Sequence, residues 1–327
     1  MAVYTALSSE QIDALLTHYQ IGTLSAYQPV LDGIENTNYF VSVSQDPSGA
    51  INDYLLTLFE HISSADLAFY LNWLEQLKSA NLPVAPAVID SNGQNIAQLA
   101  NKPAALFEKL AGSHPQDITT AQCAAIGRAL GQLHEASGSL RERHEGPRNL
   151  DWLLDLGHRI AAKISPEEQQ LMTLALATCA QLAAQTTLPQ GLIHGDLFPD
   201  NTLFIGDQLT GLVDFFSGGD GFFGFDLAVA VNAWCSDHSG DLAEPLTKAL
   251  LTGYQQVRPL CPAERAQWQD FLVVAATRFW VSRRASQLAG STQPDDSAYR
   301  KAKDPDTYRR ILQTHLQHRQ QRQGMQL

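Results

Sequence analysis

Apolar positions alternate with polar ones in short runs near the start of the chain, and further on they recur every three or four residues. Gln28 to Leu31, Tyr39 to Val43 and Tyr54 to Phe59 read as strands, with turn chemistry at Asp32-Gly33 and Asp46-Pro47-Ser48-Gly49, so an antiparallel sheet is expected. Ahead of it, Ser8-Ser9-Glu10 opens a short helix carrying Ile12, Leu15, Leu16 and Tyr19. Behind it, Ser63 or Ser64 can cap a helix with Leu67, Leu71, Leu74 and Leu77 on one face; Glu75 there is a structural acid or a solvated charge. A strand and turn are expected over 84–95. An apolar strand beginning at Ala104 and ending at Gly112 suits a hinge, because the stretches 119–135, 147–163, 166–187, 226–236, 243–257 and 263–290 are helical by period. His134 falls on an apolar helix face, where a satisfied core histidine is expected.

Within the helical part, His194-Gly195-Asp196-Leu197-Phe198-Pro199-Asp200-Asn201 breaks the pattern. Asp196 and Asn201 stand five positions apart on one loop, and Asp214 follows Asp196 by eighteen residues. Between them, Thr202 to Ile205 and Gly211 to Asp214 flank Gly206-Asp207 as a hairpin, which folds Asp214 back beside Asn201. Any one of these side chains near a turn more often makes a local backbone hydrogen bond. Together they have the layout of a phosphoryl-transfer site: Asp196 orients an attacking hydroxyl, while Asn201 and Asp214 hold Mg²⁺ against nucleotide phosphates.

At 327 residues, about two domains are expected, and 44% apolar with 17% charged residues is ordinary for a soluble globule. A net charge of -12 argues against a nucleic-acid partner. Cys123, Cys179, Cys235 and Cys261 are scattered and read as buried thiols in a reducing compartment. No Lys or Arg precedes Lys78, which leaves no basic end for a secretory signal, and the apolar run Phe271 to Val281 is broken by Arg278. A cytoplasmic protein with no membrane partner is expected. The tail holds Lys301, Lys303, Arg309, Arg310, Arg319 and Arg322, read as a solvated or internally salt-bridged helix face.

The chain resembles the choline kinase and aminoglycoside phosphotransferase superfamily, and within it the bacterial homoserine kinases of that fold. The residues that carry the resemblance are Gly33-Ile34-Glu35-Asn36-Thr37-Asn38-Tyr39-Phe40, Leu56-Thr57-Leu58-Phe59-Glu60, His194 through Asn201, and Phe225-Asp226-Leu227-Ala228 leading into Asn232-Ala233-Trp234-Cys235. Gly253-Tyr254-Gln255, Val257-Arg258-Pro259-Leu260 and Lys303-Asp304-Pro305 complete it.

The resemblance implies an α+β, two-lobed protein-kinase-like fold, with a small antiparallel-sheet lobe over 1–103, a hinge over 104–112 and a larger, mainly helical lobe over 113–327. It implies ATP and Mg²⁺ as cofactors, with Gly33, Asn36, Thr37, Phe107 and Leu110 at the nucleotide. It also implies transfer to the hydroxyl of L-homoserine in threonine synthesis. For the amino acid zwitterion, Asp226 and Arg278 are the expected substrate ligands, with Asp220, Arg283 and Arg284 as further candidates. The alternatives are another small alcohol, such as choline, methylthioribose or an aminoglycoside, or a nucleotide-binding module without turnover. Two departures stand out. The third strand has Thr57 in a segment where kinases carry a Lys, and Phe198 stands where many aminoglycoside phosphotransferases carry His.

Overall fold

Ser8 starts the first helix, α1 (Ser9–Leu16), by a reciprocal cap: its hydroxyl accepts the Gln11 N–H while the Gln11 side chain accepts the Ser8 N–H. Eight residues are too few to hold a helix alone, so its persistence depends on packing. The structure, a computed structural model, describes residues 4–30, 36–45, 49, 51–138, 140, 143–290 and 303–324. The chain divides into two compact units, Met1–Ala111 and Gly112–Leu327.

In the first unit, β1 (Thr23–Pro29), β2 (Thr37–Ser44) and β3 (Ile51–Leu58) pair as an antiparallel meander. After α2 (Ser64–Ser79), capped by Ser63, β4 (Ala97–Leu99) and β5 (Lys102–Glu108) complete a five-stranded sheet in the order β1-β2-β3-β5-β4. Strand alternation sets the faces. Tyr39, Val41 and Val43 of β2, Leu56 and Leu58 of β3, and Ala104 and Leu106 of β5 pack with Ile12, Leu15 and Leu16 of α1. Each such burial contributes roughly 1.5–3 kcal/mol for the larger side chains. Asn38, Phe40 and Ser42 turn to the opposite face. Of the strand and turn expected over 84–95, the turn forms at Asp90 to Gln94, while the strand is reduced to a bridge between Ala87 and Phe107, because Pro83 and Pro86 break the run of donors. Of the stretch 104–112, residues 104–108 belong to β5 and pair with β3.

The second unit opens with α3 (Thr120–Gly138), α4 (Leu150–Ala161) and α5 (Pro166–Ala183). Four short strands follow. β6 (Gln190–Ile193) pairs with β9 (Gly219–Phe222), and inside that pair lies the hairpin of β7 (Thr202–Ile205) and β8 (Gln208–Leu212). The chain ends in α6 (Phe223–Cys235), α7 (Glu244–Val257), α8 (Pro262–Ala266), α9 (Trp268–Gly290) and α10 (Pro305–Gly324). Every residue of α9 from Phe271 to Val281 is buried, and the helix packs against α10, α6 and α5, so it is the core of the unit. The basic tail is α10, which buries Tyr308, Ile311, Leu312 and Leu316 while Arg319 pairs with Asp270 of α9. An α+β architecture results. Among the described residues, no helix is long and apolar enough to cross a membrane. The four cysteines are free, and burial pushes the Cys179 thiol up to about 12.

Candidate active site

The loop after β6 turns on Gly195, whose φ of 72° is left-handed and suits a residue without a Cβ. Asp226, in the first turn of α6, holds this turn in place. Its Oδ2 accepts the N–H of His194 and its Oδ1 accepts the N–H of Gly195, each at 2.8 Å. Asp226 is fully buried. Burial works to raise its pKa, but the hydrogen bonds from His134 and from Gly195 outweigh it and hold the carboxyl below the usual Asp range. The expectation that Asp226 binds substrate is therefore corrected: both oxygens are taken and no atom is exposed, so it positions the loop. His134, 3.0 Å from Asp226, is a satisfied core histidine, and burial pushes its imidazole pKa down.

The loop itself is closed by hydrogen bonds, some local and some from the hairpin and α6. The Asp196 N–H donates to Nδ1 of His194 at 3.3 Å, and Nε2 of His194 donates to the Val213 carbonyl at 3.0 Å, so the imidazole carries its hydrogen on Nε2. Trp234 of α6 donates its indole N–H to the Leu197 carbonyl at 3.0 Å. Asn201 donates its amide to Asp196, to the backbone carbonyl at 2.8 Å and to Oδ2 at 3.1 Å. That leaves the Asn201 amide oxygen for another partner. The Val213 N–H donates to the Asn201 carbonyl at 3.1 Å, which ties Asp214 beside Asn201 across the hairpin. Asp214 is exposed and adopts a left-handed φ of 63°, a conformation Asp tolerates better than most residues. Among the described residues, no group of three His, Cys, Asp or Glu side chains could hold a metal. The amide oxygen of Asn201 and the Asp214 carboxylate instead offer a two-ligand, oxygen-only set, which fits Mg²⁺ because that ion keeps water and substrate phosphates for its other positions.

Arg278 of α9 is buried at 4% exposure, and its Nη1 lies 3.3 Å from Oδ1 of Asp196. Asp196 is thus held from two sides, by an amide and by a guanidinium. Beside it three aromatic rings cluster, Phe198 with Phe279 at 4.6 Å between centroids and Phe279 with Tyr308 at 5.1 Å. Each ring faces a cation: Arg278 lies 4.0 Å from the centre of Phe279, Arg283 4.5 Å from Tyr308, and Lys303 4.9 Å from Phe198. Lys303 also pairs with Asp200. Burial pushes the Arg283 guanidinium down and the Tyr308 phenol up, and the charge of Asp196 acts on both. Two other candidates have structural partners: Arg284 pairs with Glu168 at 3.1 Å and Asp220 with Arg143 at 3.0 Å. Phe279 lies on α9, within the apolar run Phe271 to Val281, and Tyr308 on α10, within the basic tail, and no motif in the sequence singles out either ring as part of the site.

In the first unit, Gly33 lies outside the described residues, and Asn36 is half-buried next to them. Thr37, expected at the nucleotide, falls on the α1 face of β2. It is fully buried, its hydroxyl donates to Glu60 at 2.6 Å, and it accepts the N–H groups of Tyr4 and Thr5 at 3.0 and 3.2 Å. That side chain is therefore committed within the fold. The next residue, Asn38, faces the other way and accepts from Thr57 at 2.7 Å. Phe107 is buried in β5 and Leu110 is half-buried just beyond it. Glu75 and Lys78 are exposed on α2. Glu60 pairs at 2.7 Å with Lys102 on β5.

Comparison with known proteins agrees with this geometry. The model of the phosphotransferase enzyme family matches residues 26–260. The chain is 36% identical to a homoserine kinase of Pseudomonas aeruginosa over 285 residues, covering 86% of this chain and 88% of that one. It is 34% identical to a homoserine kinase of Janthinobacterium sp. (strain Marseille) over 321 residues, covering 97% of each. Among solved structures, a microcompartment-associated aminopropanol kinase superposes with a TM-score of 0.72 at 21% identity, covering 96% of this chain and 98% of that one. Amicoumacin kinase in complex with AMP-PNP, Ca²⁺ and Ami gives 0.69 at 17% identity, covering 94% of each. These two likenesses concern the fold. With the family model spanning most of the chain and relatives this similar over nearly its full length, the protein belongs to the phosphotransferase enzyme family.

Proposed function

We propose that the protein transfers the γ-phosphoryl group of ATP to the hydroxyl of L-homoserine, giving O-phospho-L-homoserine and ADP for threonine synthesis. Membership of a kinase family implies ATP as donor. The curated relatives are homoserine kinases, and the chain covers nearly all of their length.

The observation that favours homoserine over choline is the state of the three rings beside Asp196. A quaternary ammonium needs open aromatic faces, but here Phe279, Tyr308 and Phe198 each already face Arg278, Arg283 or Lys303. Such a wall repels choline and attracts a carboxylate.

The hydroxyl of the acceptor is held by Asp196, whose own orientation is set by Asn201 and Arg278. As the bond from the substrate oxygen to the γ-phosphorus forms, the bond to the β–γ bridging oxygen breaks and ADP leaves. Asp196 takes the hydroxyl proton late, because a loose transition state demands orientation more than a strong base. Mg²⁺, held by Asn201 and Asp214, would neutralise charge on the phosphate oxygens. Arg278 lines the acceptor side and keeps Asp196 aligned. Thr57 cannot replace the cation that kinases carry on this strand, so neutralisation of the phosphates falls on Mg²⁺ and backbone N–H groups.

Incubation of the purified protein with ATP, Mg²⁺ and L-homoserine, followed by ³¹P NMR, tests the reading. It predicts a new phosphomonoester signal in step with loss of the γ-phosphate. ATP hydrolysis to inorganic phosphate alone would contradict it.

A further inference from the structure

Two donors near Asp196 are under-partnered among the described residues. Tyr308 is 2% exposed, and its buried hydroxyl has no hydrogen-bond partner among the described residues. A buried polar atom left unpaired costs on the order of 1–3 kcal/mol, so such a group calls for an explanation. The guanidinium of Arg283 stacks on the ring of the same Tyr308, 4.5 Å from its centre, and lies 5.9 Å from that of Phe198. Among the described residues its one hydrogen bond is a long one, 3.4 Å, to the Asp304 carbonyl.

Other arginines of this unit differ. Arg258 has Glu264 at 2.9 Å, Arg278 has Asp196 at 3.3 Å, Arg284 has Glu168 at 3.1 Å and Arg319 has Asp270 at 2.6 Å. Among the described residues, no carboxylate forms an ion pair with Arg283. A partly buried guanidinium that forms no ion pair among the described residues, with Asp196, Asp200 and Asp304 acting on it only at longer range, stacked on the ring of a tyrosine whose hydroxyl has no partner among them, is a site prepared for an anion with two oxygens. Stacking occupies the face of the guanidinium and leaves its N–H edge for in-plane hydrogen bonds.

We propose that Arg283 and Tyr308 together bind the carboxylate of the amino acid acceptor, with the guanidinium edge donating to both oxygens or one and the phenol donating to the other. The proposal rests on the reading of the protein as a homoserine kinase, and it names the group that selects the amino acid. The substrate length agrees: the carboxylate carbon of homoserine is four bonds from its hydroxyl oxygen, about 5 Å when extended. The charge of Asp196 is felt at both Arg283 and Tyr308, so a substrate anchored on the pair presents its hydroxyl toward the catalytic loop. Arg278, already paired to Asp196, is left to orient that residue.

The test compares L-homoserine with 3-aminopropan-1-ol, which keeps the ammonium and the hydroxyl and lacks only the carboxylate. The parent should favour homoserine in kcat/KM by about 10⁴. Tyr308→Phe should raise the KM for homoserine about tenfold with little change in the KM for ATP, and Arg283→Met about a hundredfold. The ratio of kcat/KM for the two substrates should fall by the same factors. Tyr308→Phe removes only an unpaired atom, so its Tm should equal or exceed that of the parent, which separates loss of a ligand from loss of fold. Parent-like KM for homoserine in Tyr308→Phe, or equal losses on both substrates, would overturn the carboxylate site while the homoserine reading stands. A parent that prefers 3-aminopropan-1-ol would overturn both.

Discussion

His134 and Asp226 lie 3.0 Å apart, Nε2 to Oδ2, with neither side chain exposed. The tautomer of that histidine is set from further away. Arg258 can only donate, and its Nη1 gives hydrogen bonds to the Tyr254 hydroxyl and to Glu264, both at 2.9 Å. Tyr254 therefore turns its own hydrogen toward Nδ1 of His134, 2.8 Å away, which leaves the imidazole hydrogen on Nε2 for Asp226. A buried chain thus runs from Glu264 to the backbone of His194 and Gly195. Two sequence motifs with no assigned role, Gly253-Tyr254-Gln255 and Val257-Arg258-Pro259-Leu260, supply its middle.

Breaking that chain in the middle should slow turnover without touching substrate. Tyr254→Phe leaves Nδ1 of His134 and one Arg258 hydrogen unpaired, at a cost of about 1–3 kcal/mol in urea unfolding. Steady-state kinetics should show kcat lowered severalfold with both KM values near the parent. A parent-like kcat would mean that the chain serves stability alone.

The catalytic assignments separate by readout. Asp196→Asn should cut kcat by about 10²–10⁴ and leave nucleotide affinity near the parent. Asp214→Asn should instead weaken binding of Mg²⁺-ATP, measured by calorimetry with a non-hydrolysable analogue. Near-parent rates in both variants would contradict the site.

Acid sensitivity should arise partly in α10. His315 is buried, its Nε2 donates to Asn232 at 2.8 Å, and burial pushes its pKa down to about 4. In the unfolded chain it takes a proton near pH 6.5, so below that pH the unfolded state binds more protons than the folded one and stability falls. The fall should run from about pH 6.5 to about pH 4, on the order of 3 kcal/mol in all. Urea melts of the parent and of His315→Gln across this window check it: the variant should lose part of the slope, and an identical slope would contradict the account.

Much of this was legible in the chain. Helix starts at Ser8 and Ser63 are where local hydrogen bonds form, and a short-range pattern suffices for such features. The hairpin that brings Asp214 to Asn201 was legible for the same reason. Thr37 was misplaced because a position beside a turn does not reveal strand parity: one step along β2 separates the α1 face from the face that Asn38 occupies. Asp226 was taken for a substrate ligand because its partners, the N–H groups of His194 and Gly195, leave no mark on the sequence. Tyr308 reaches the site from more than a hundred residues away from Asp196, and no spacing rule connects them.

On this account Asp196, with Arg278 beside it, orients the hydroxyl of an amino acid alcohol for direct attack on the γ-phosphorus of ATP. Initial rates of ADP release with saturating ATP and Mg²⁺, measured for L-homoserine, choline, methylthioribose and an aminoglycoside, test it most directly. The account predicts kcat/KM for L-homoserine above each of the others by about 10⁴. Comparable rates on choline, whose ammonium the Arg278, Arg283 and Lys303 wall should repel, would contradict it.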